Sequence, residues 1–408
     1  MSEIPSAQRW LTLIGIGEDG PAGLGDEAKR LIASARVVFG GARHIDLMRP
    51  LIKGEAHAWL SPFEKSVEAV LALRGKPTVI LASGDPFFYG VGATLSRHIP
   101  VSEMTVIPAA SSFSLAASRL GWPLQDVTIL SLHGRPLDLI RPHLHTGRKI
   151  LALTSDGQGP ADLAYLLQQN GFGQSKLTVL EALGGPSERV STQKAADFAL
   201  SDINDLNVCG IDVVTSDGAR ILPLATGLDD RLFEHDGQIT KREIRAMTLS
   251  ALAPRRGELL WDIGAGSGSI AIEWMLADPS MRAIAIETSS DRAARVRHNA
   301  ASFGVPGLSV VEGQAPHALA GLPTPDAILI GGGGSDAGVM EAAIGGLRKG
   351  GRLVANAVTT EMEAILLAEY ARRGGSLIRI DIARAAPIGK MTGWRPAMPV
   401  TQWSWVKE

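Results

Sequence analysis

The chain has 408 residues, more than one hydrophobic core usually serves, so two domains are expected. Hydrophobic residues make up 45% and charged residues 20%, the balance of a packed globular protein rather than a disordered one. A formal net charge of -2 supplies no overall pull toward nucleic acid or an anionic membrane, and no run approaches the roughly 18 apolar residues of a membrane span. The start, Met1-Ser2-Glu3-Ile4-Pro5, lacks the basic and apolar regions of a secretion signal. The single cysteine, Cys209, can form no intrachain disulfide and reads as a buried, inert thiol. A cytoplasmic protein without nucleic-acid or membrane partners is the expectation.

In chain order, β-rich apolar runs fall at Trp10–Ile16, Val37–Phe39, Thr78–Ala82, Thr105–Ile107, Val127–Leu130, Ile150–Leu153, Leu177–Leu180 and Val208–Val214, with helical patterns between them. Such alternation predicts an α/β domain. The stretch Thr215–Gln238 breaks the rhythm with Asp217-Gly218, Pro223, Gly227 and Asp236-Gly237, turn formers without sustained periodicity. A first domain over 8–216, a linker over 217–231 and a second domain over 232–408 follow. The second series opens with a helix over Lys241–Leu252. Strands are predicted near Leu259–Ile263, Ala283–Ile286, Leu308–Val311, Ala327–Ile330, Leu353–Ala355, Leu377–Ile382 and Thr401–Val406. Helices separate the first six of these. The last two are joined by Pro387–Pro399, which has no helical pattern and reads as a loop, so a mostly parallel seven-stranded sheet with an antiparallel end is expected.

Several turns in the first half carry recognisable chemistry. After Leu13-Ile14-Gly15-Ile16-Gly17, a buried strand runs into Ser83-Gly84-Asp85-Pro86, Val106-Ile107-Pro108 leads into Ser111-Ser112, and Leu153-Thr154 and Glu181-Ala182-Leu183-Gly184-Gly185 follow at later strand ends. Any one of these is only a good turn. Their ordered set resembles the tetrapyrrole methylase (class III methyltransferase) family. The resemblance implies two α/β lobes with S-adenosylmethionine folded between them, held by Gly84, Asp85, Ser111, Ser112, Thr154 and Leu183. Many members carry Gly-Pro-Gly-Asp in the first loop, whereas this chain has Gly17-Glu18-Asp19-Gly20-Pro21, which leaves the role of that loop open. Arg43-His44 and His133-Gly134-Arg135 are polar groups at further strand ends, readable as ligand contacts or as ordinary loop residues.

In the second half, Glu258-Leu259-Leu260-Trp261-Asp262-Ile263 delivers a buried strand into Gly264-Ala265-Gly266-Ser267-Gly268-Ser269 and a helix over Ile270–Leu276. Glycines there let backbone approach a ligand where a Cβ would collide. A dinucleotide fold prefers Gly or Ala at the sixth motif position, where this chain has Ser269. The Asp-x-Gly-x-Gly-x-Gly run instead resembles the first motif of class I methyltransferases, a Rossmann-like fold. That likeness implies that Gly264, Ala265, Gly266, Ser267 and Gly268 face the methionine part of S-adenosylmethionine. Glu287, after the next strand, would take the ribose hydroxyls and Ala315 the adenine. Upstream, Gly237–Ala246 resembles the entry segment of the cobalamin-pathway precorrin methyltransferases acting at C15, in which the threonine matching Thr240 lies at the cofactor. Thr240 also reads as a helix N-cap, with Glu243 as its capping-box partner.

Two methyltransferase domains of different folds in one chain resemble the bifunctional, decarboxylating precorrin methyltransferases. The resemblance implies one S-adenosylmethionine site per domain, methylation at C5 by the first and at C15 by the second, and loss of the C12 acetate carboxyl, taking precorrin-6B to precorrin-8X. No metal-ligand cluster is evident, and none is required, because the macrocycle itself serves as electron sink. A polycarboxylate corrinoid needs cations, for which Arg384, Lys390 and Arg395 are candidates, with Trp394 as a flat apolar face in a loop over Ala386–Met398 that closes on the substrate. His317 is a candidate proton shuttle. Self-association through the second domain is also expected. The rival readings are a methyltransferase of another substrate such as RNA, a non-catalytic cofactor-binding scaffold, and a dehydrogenase. The near-neutral charge, the intact glycine turns and Ser269 argue against them in that order.

Overall fold

The computed structural model describes residues 9–408. The N-terminal segment read for a secretion signal, and residue 8 at the expected start of the first domain, lie outside the described residues. The chain divides into two compact units after Arg220, within the run of turn formers, with the short piece Asp138–Pro142 grouped with the second unit.

The first unit contains two five-stranded sheets. In the first, β1 (Leu11–Ile16), β2 (Val37–Gly40), β3 (Glu55–Ala58), β4 (Thr78–Ser83) and β5 (Met104–Ile107) stand in the order β3-β2-β4-β1-β5, all parallel. β1, β2 and β4 are nearly continuous apolar runs buried on both faces, as a parallel sheet covered by helices requires. The second sheet holds β6 (Val127–Ser131), β7 (Lys149–Leu153), β8 (Lys176–Glu181), β9 (Arg189–Lys194) and β10 (Asn207–Asp212) in the order β6-β7-β10-β8-β9. Only β6 and β7 are parallel there. The sequence reading missed β3 and β9. Both are largely exposed edge strands, and neither has the buried apolar run that marks the interior strands. Cys209 is fully buried in β10, and burial pushes its thiol pKa well up.

The second unit carries β11 (Leu259–Ile263), β12 (Arg282–Glu287), β13 (Ser309–Glu312), β14 (Ala327–Ile330), β15 (Arg352–Ala357), β16 (Ser376–Ile380) and, last in the chain, Val400–Val406. The first five are parallel, while Val400–Val406 inserts between β15 and β16, antiparallel to both, giving the seven-stranded sheet. Trp274 packs on one face of this sheet and Trp403 contributes to the core on the other. The segment expected as a loop is instead a separate hairpin of β17 (Ala383–Ile388) and β18 (Met391–Pro396), so the final strand is β19. Gly389, at φ +58, and Lys390 form its two-residue turn, and the two strands supply each other's hydrogen-bond partners.

Among the described residues, no helix is long and apolar enough to cross a membrane, and no three His, Cys, Asp or Glu side chains gather as a metal site.

Candidate functional site

Each unit contains one large cavity at the carboxyl ends of its parallel strands, where open α/β sheets bind ligands. In the first unit the cavity, about 750 Å³, lies between the two sheets. Its floor is a close crossing of backbone. Gly84 N donates to Ile16 O (2.9 Å) and Ala109 N to Gly84 O (3.1 Å). Gly84 holds φ +55, and a Cβ there would meet Ser111 Cα at 2.8 Å, so only glycine fits.

Gly84, Ser111, Ser112, Thr154 and Leu183 all line this cavity. Asp85 is not part of the wall, and its Oδ1 accepts from Phe87 N at 2.8 Å to shape the turn. Ser111 caps the helix Ser112–Leu120 by accepting from Ser114 N (3.1 Å). The Thr154 hydroxyl donates to Asn207 Oδ1 (2.6 Å), and Asn207, which also lines the cavity, was not found from sequence. An aromatic wall, Trp59, Phe63, Phe88, Tyr89 and Phe113, was also missed, because its rings come from three separate segments. The polar end holds an ion pair between Glu18 and Arg43. Arg43 Nη2 also donates to Ser83 Oγ (3.2 Å), which lies 2.8 Å from His44 Nε2. Burial, reinforced by the Arg43 charge, lowers His44 to about 4, so its imidazole is neutral at pH 7. His133 lines the cavity; Arg135 does not, and donates to Ser131 O (3.3 Å).

The cavity of the second unit, about 780 Å³, is built around the glycine turn after β11. Gly264 has φ +73, and a Cβ there would sit 2.6 Å from the Gly332 carbonyl oxygen, after β14. Glu287 ends β12 with both carboxylate oxygens fixed: Oε2 accepts from Gly266 N (2.8 Å) and Oε1 from Ser289 N (3.0 Å). An anchored carboxylate facing a glycine-lined cleft suits a diol. Thr240, Gly264, Ala265, Gly266, Glu287, Ala315 and Arg384 line the cavity. Ser267 and Gly268 lie behind it. Ser267 is buried and its carbonyl accepts from Asn299 Nδ2 (2.9 Å), while Gly268 caps the helix Ser269–Leu276 at φ +75. Asp262, beneath the turn, is fully buried. Burial raises its carboxyl to about 7, with the nearby Glu287 charge adding to the rise and a hydrogen bond from Ala271 N opposing it.

Thr240 is not the helix cap. The helix runs Arg242–Leu252 with Lys241 at the N-cap and no side-chain capping bond, and Glu243 pairs with Arg384 instead of closing a capping box. The cause is Arg245, a fully buried side chain that sequence reading passed over. It donates to Thr240 O (2.6 Å) and to Glu273 Oε1 (2.5 Å), holding the entry segment in another path. His317 is exposed at the head of a short 3₁₀ turn and is not in the cavity wall. Lys390, Trp394 and Arg395 lie exposed on the hairpin, outside the wall. Arg395 pairs in register with Arg384, and Trp394 with Ala385. Alternation along β18 therefore turns Trp394 and Arg395 to opposite faces, so they do not share one ligand face as the loop reading assumed.

Comparison with known proteins adds three relatives and two family matches. Residues 10–199 match the tetrapyrrole (corrin/porphyrin) methylases, and residues 231–407 match the precorrin methyltransferase domain. The chain is 71% identical over 406 residues, covering 100% of itself and 98% of the relative, to a precorrin-6Y C(5,15)-methyltransferase [decarboxylating] of a Sinorhizobium species. Two half-length proteins are also similar. A cobalt-precorrin-7 C(5)-methyltransferase of Salmonella typhimurium is 30% identical over 44% of this chain and 88% of its own length. A probable cobalt-precorrin-6B C(15)-methyltransferase (decarboxylating) of Pyrobaculum calidifontis is 34% identical over 44% of this chain and 95% of its own.

Proposed function

Since the chain belongs to the family of precorrin-6Y C(5,15)-methyltransferases (decarboxylating), we propose that its two cavities divide the two methylations between them. The protein is a C-methyltransferase of cobalamin biosynthesis that methylates C5 and C15 of a precorrin with decarboxylation, and methyltransferases of this family use S-adenosylmethionine. In the finer reading, a domain over 8–216 methylates C5. A domain over 232–408, joined to it by 217–231, methylates C15 and releases the C12 acetate carboxyl as carbon dioxide. The conversion runs from precorrin-6B to precorrin-8X.

The observation that carries this division is that each unit has its own glycine-floored cavity at its own strand ends. The existence of half-length relatives named for C5 or C15 alone supports it. In each cavity a glycine lets two backbone segments cross where a Cβ would collide, Gly84 against Ser111 in one and Gly264 against Gly332 in the other, and this supports room for the methyl donor at the strand ends. In the second cavity Gly264, Ala265 and Gly266 would receive its methionine part, Glu287 its ribose and Ala315 its adenine, with Thr240 at the rim. In the first, Gly84, Ser111, Ser112, Thr154 and Leu183 would hold it. When bound, the donor supplies an electrophilic sulfonium methyl.

The rest of the chemistry is positioning. A meso carbon of a partly reduced tetrapyrrole is enamine-like and already nucleophilic, so the protein needs chiefly to align it and exclude water, an effect reaching on the order of 10⁵ M in effective concentration. Arg384 in the cavity wall is oriented by Glu243 toward a peripheral carboxylate, and Arg395 shares its face of the hairpin. The opposite face, bearing exposed Trp394, suits a second copy of the chain, which makes the protein a homo-oligomer through this domain. A cytoplasmic setting fits the buried, unpaired Cys209. The test is incubation of the full chain with precorrin-6B and methyl-labelled S-adenosylmethionine. Mass analysis should find two labelled methyl groups gained and one carbon dioxide lost. A product with one methyl, or with both and the carboxyl retained, refutes the reading.

A further inference from the structure

The wall of the N-terminal cavity contains a single strong cation. Among the described residues, Arg43 is the only arginine or lysine lining it, among aromatic rings, glycines, apolar strand ends and uncharged polar groups such as Ser83, Ser111 and Thr154. Its guanidinium is not free: it pairs with Glu18, from the loop after β1, and donates to Ser83 Oγ at 3.2 Å. The two charged side chains are 36% and 22% exposed, so the pair is partly withdrawn from water and salt screens its attraction only in part. The other carboxylate of the wall, Asp205, is engaged elsewhere, accepting from Gly157 N at 3.0 Å. One of the chain's own carboxylates thus occupies the one strong cation of the cleft.

A corrinoid entering this cleft brings peripheral carboxylates, and burying one without a partner is costly. We propose that Arg43 is the carboxylate receptor that orients the corrinoid for C5 methylation, and that Glu18 is a placeholder which the substrate carboxylate displaces. The inference rests on the reading of this cavity as the C5 site. It assigns a function to Glu18 in a first loop whose sequence departs from the Gly-Pro-Gly-Asp of many tetrapyrrole methylases. The exchange swaps one carboxylate for another on the same fork, and the released Glu18, part-exposed in the first loop, must turn to water, which is why removing its charge favours the substrate.

The two partners then act with opposite signs, which a purely structural ion pair does not do. Arg43→Gln removes the receptor, and should raise the precorrin-6B concentration for half-maximal C5 methylation roughly tenfold or more. Glu18→Gln removes the competitor, and should lower that concentration about threefold. Arg43→Lys, which keeps the charge and loses the fork, should fall between wild type and Arg43→Gln. The experiment follows C5 and C15 methyl incorporation by the full chain, by mass analysis, across corrinoid and salt concentrations, with S-adenosylmethionine stoichiometry as the check on folding. Salt should raise the half-maximal concentration for wild type and hardly affect Arg43→Gln. A rise for both Arg43→Gln and Glu18→Gln, or no change in Arg43→Gln, overturns the proposal. If C5 methylation is also indifferent to Gly84→Val, which fills the turn against Ser111, the assignment of the cavity fails, and not merely the exchange.

Discussion

Replacing Arg245 with Met should unfold the second unit far more readily while leaving the first untouched. The Arg245 side chain is fully buried, as is that of its partner Glu273. Its guanidinium donates to Glu273, to Thr240 O and to Leu228 O, contacts Asp230 Oδ1 at 3.1 Å, and stacks on Phe233 with 4.7 Å to the ring centroid. Glu273 in turn accepts from Gly227 N (2.7 Å) and Leu228 N (3.0 Å), so the pair ties the entry segment to the helix Ser269–Leu276. Methionine fills much of the volume but leaves a buried carboxylate without its cation, a loss of about 3 to 5 kcal/mol. The orphaned carbonyls of Thr240 and Leu228 put the effect at the upper end of that range. With a urea slope of about 2 kcal/mol/M, the unfolding midpoint of this unit should fall by roughly 2 M. The assay is urea unfolding of the full chain followed by tryptophan fluorescence, in which Trp261 and Trp274 report this unit's transition and Trp10, in the core of the first unit, reports the transition that should not move. Arg245→Met/Glu273→Gln, which neutralises the stranded carboxyl and keeps an acceptor for one of the two N–H groups, should recover about 2 kcal/mol. A loss below about 1 kcal/mol in the single variant, or a double variant no better than the single, would refute the reasoning.

The pH dependence of the same unit should carry the signature of Asp262. Its folded pKa, about 7, lies above the ordinary 3.8, so between those values the unfolded chain has released a proton that the folded chain keeps. Its contribution to stability is therefore complete below about pH 4, falls as pH rises toward 7 by up to roughly 4 kcal/mol, and is constant above. Asp262→Asn should flatten that slope, and urea midpoints of equal pH dependence in both proteins would contradict it. On the hairpin, Arg395→Ala should weaken corrinoid binding to the C-terminal cavity by about 1 kcal/mol, as for a solvated charge contact, and leave S-adenosylmethionine affinity unchanged. Trp394→Ala, on the opposite face, should instead shift the sedimentation of the full chain toward smaller species. Reversal of those two outcomes would mean that the faces have been assigned to the wrong ligands.

Strands with two buried faces were legible in the sequence because burial writes them as apolar runs, and the glycine turns were legible because a positive φ or a close crossing admits little else. Gly84 against Ser111 and Gly264 against Gly332 are both of that kind. What escaped had no local signal. β3 and β9 are exposed edges, and the β17–β18 hairpin satisfies its backbone within itself, so Pro387, Gly389 and Gly393 read as loop formers. Thr240 looked like a cap because Thr-x-x-Glu has that spacing. The winning partner, Arg245, depends on Glu273, 28 positions away. Asn207 with Thr154, 53 apart, and Arg43 with Glu18 are likewise tertiary pairings that periodicity does not encode.

The most direct test of two separate methylation sites in one chain is calorimetric titration of the full-length protein with S-adenosylmethionine, beside Gly264→Val. The branched side chain would collide with Gly332 in one cavity and change nothing in the other. Two equivalents are expected for the unaltered chain and one for the variant, which should retain C5 methylation wherever its corrinoid substrate is supplied. A single equivalent in the unaltered chain, or loss of all binding in a variant whose first unit unfolds at its normal urea midpoint, would contradict the two-site assignment.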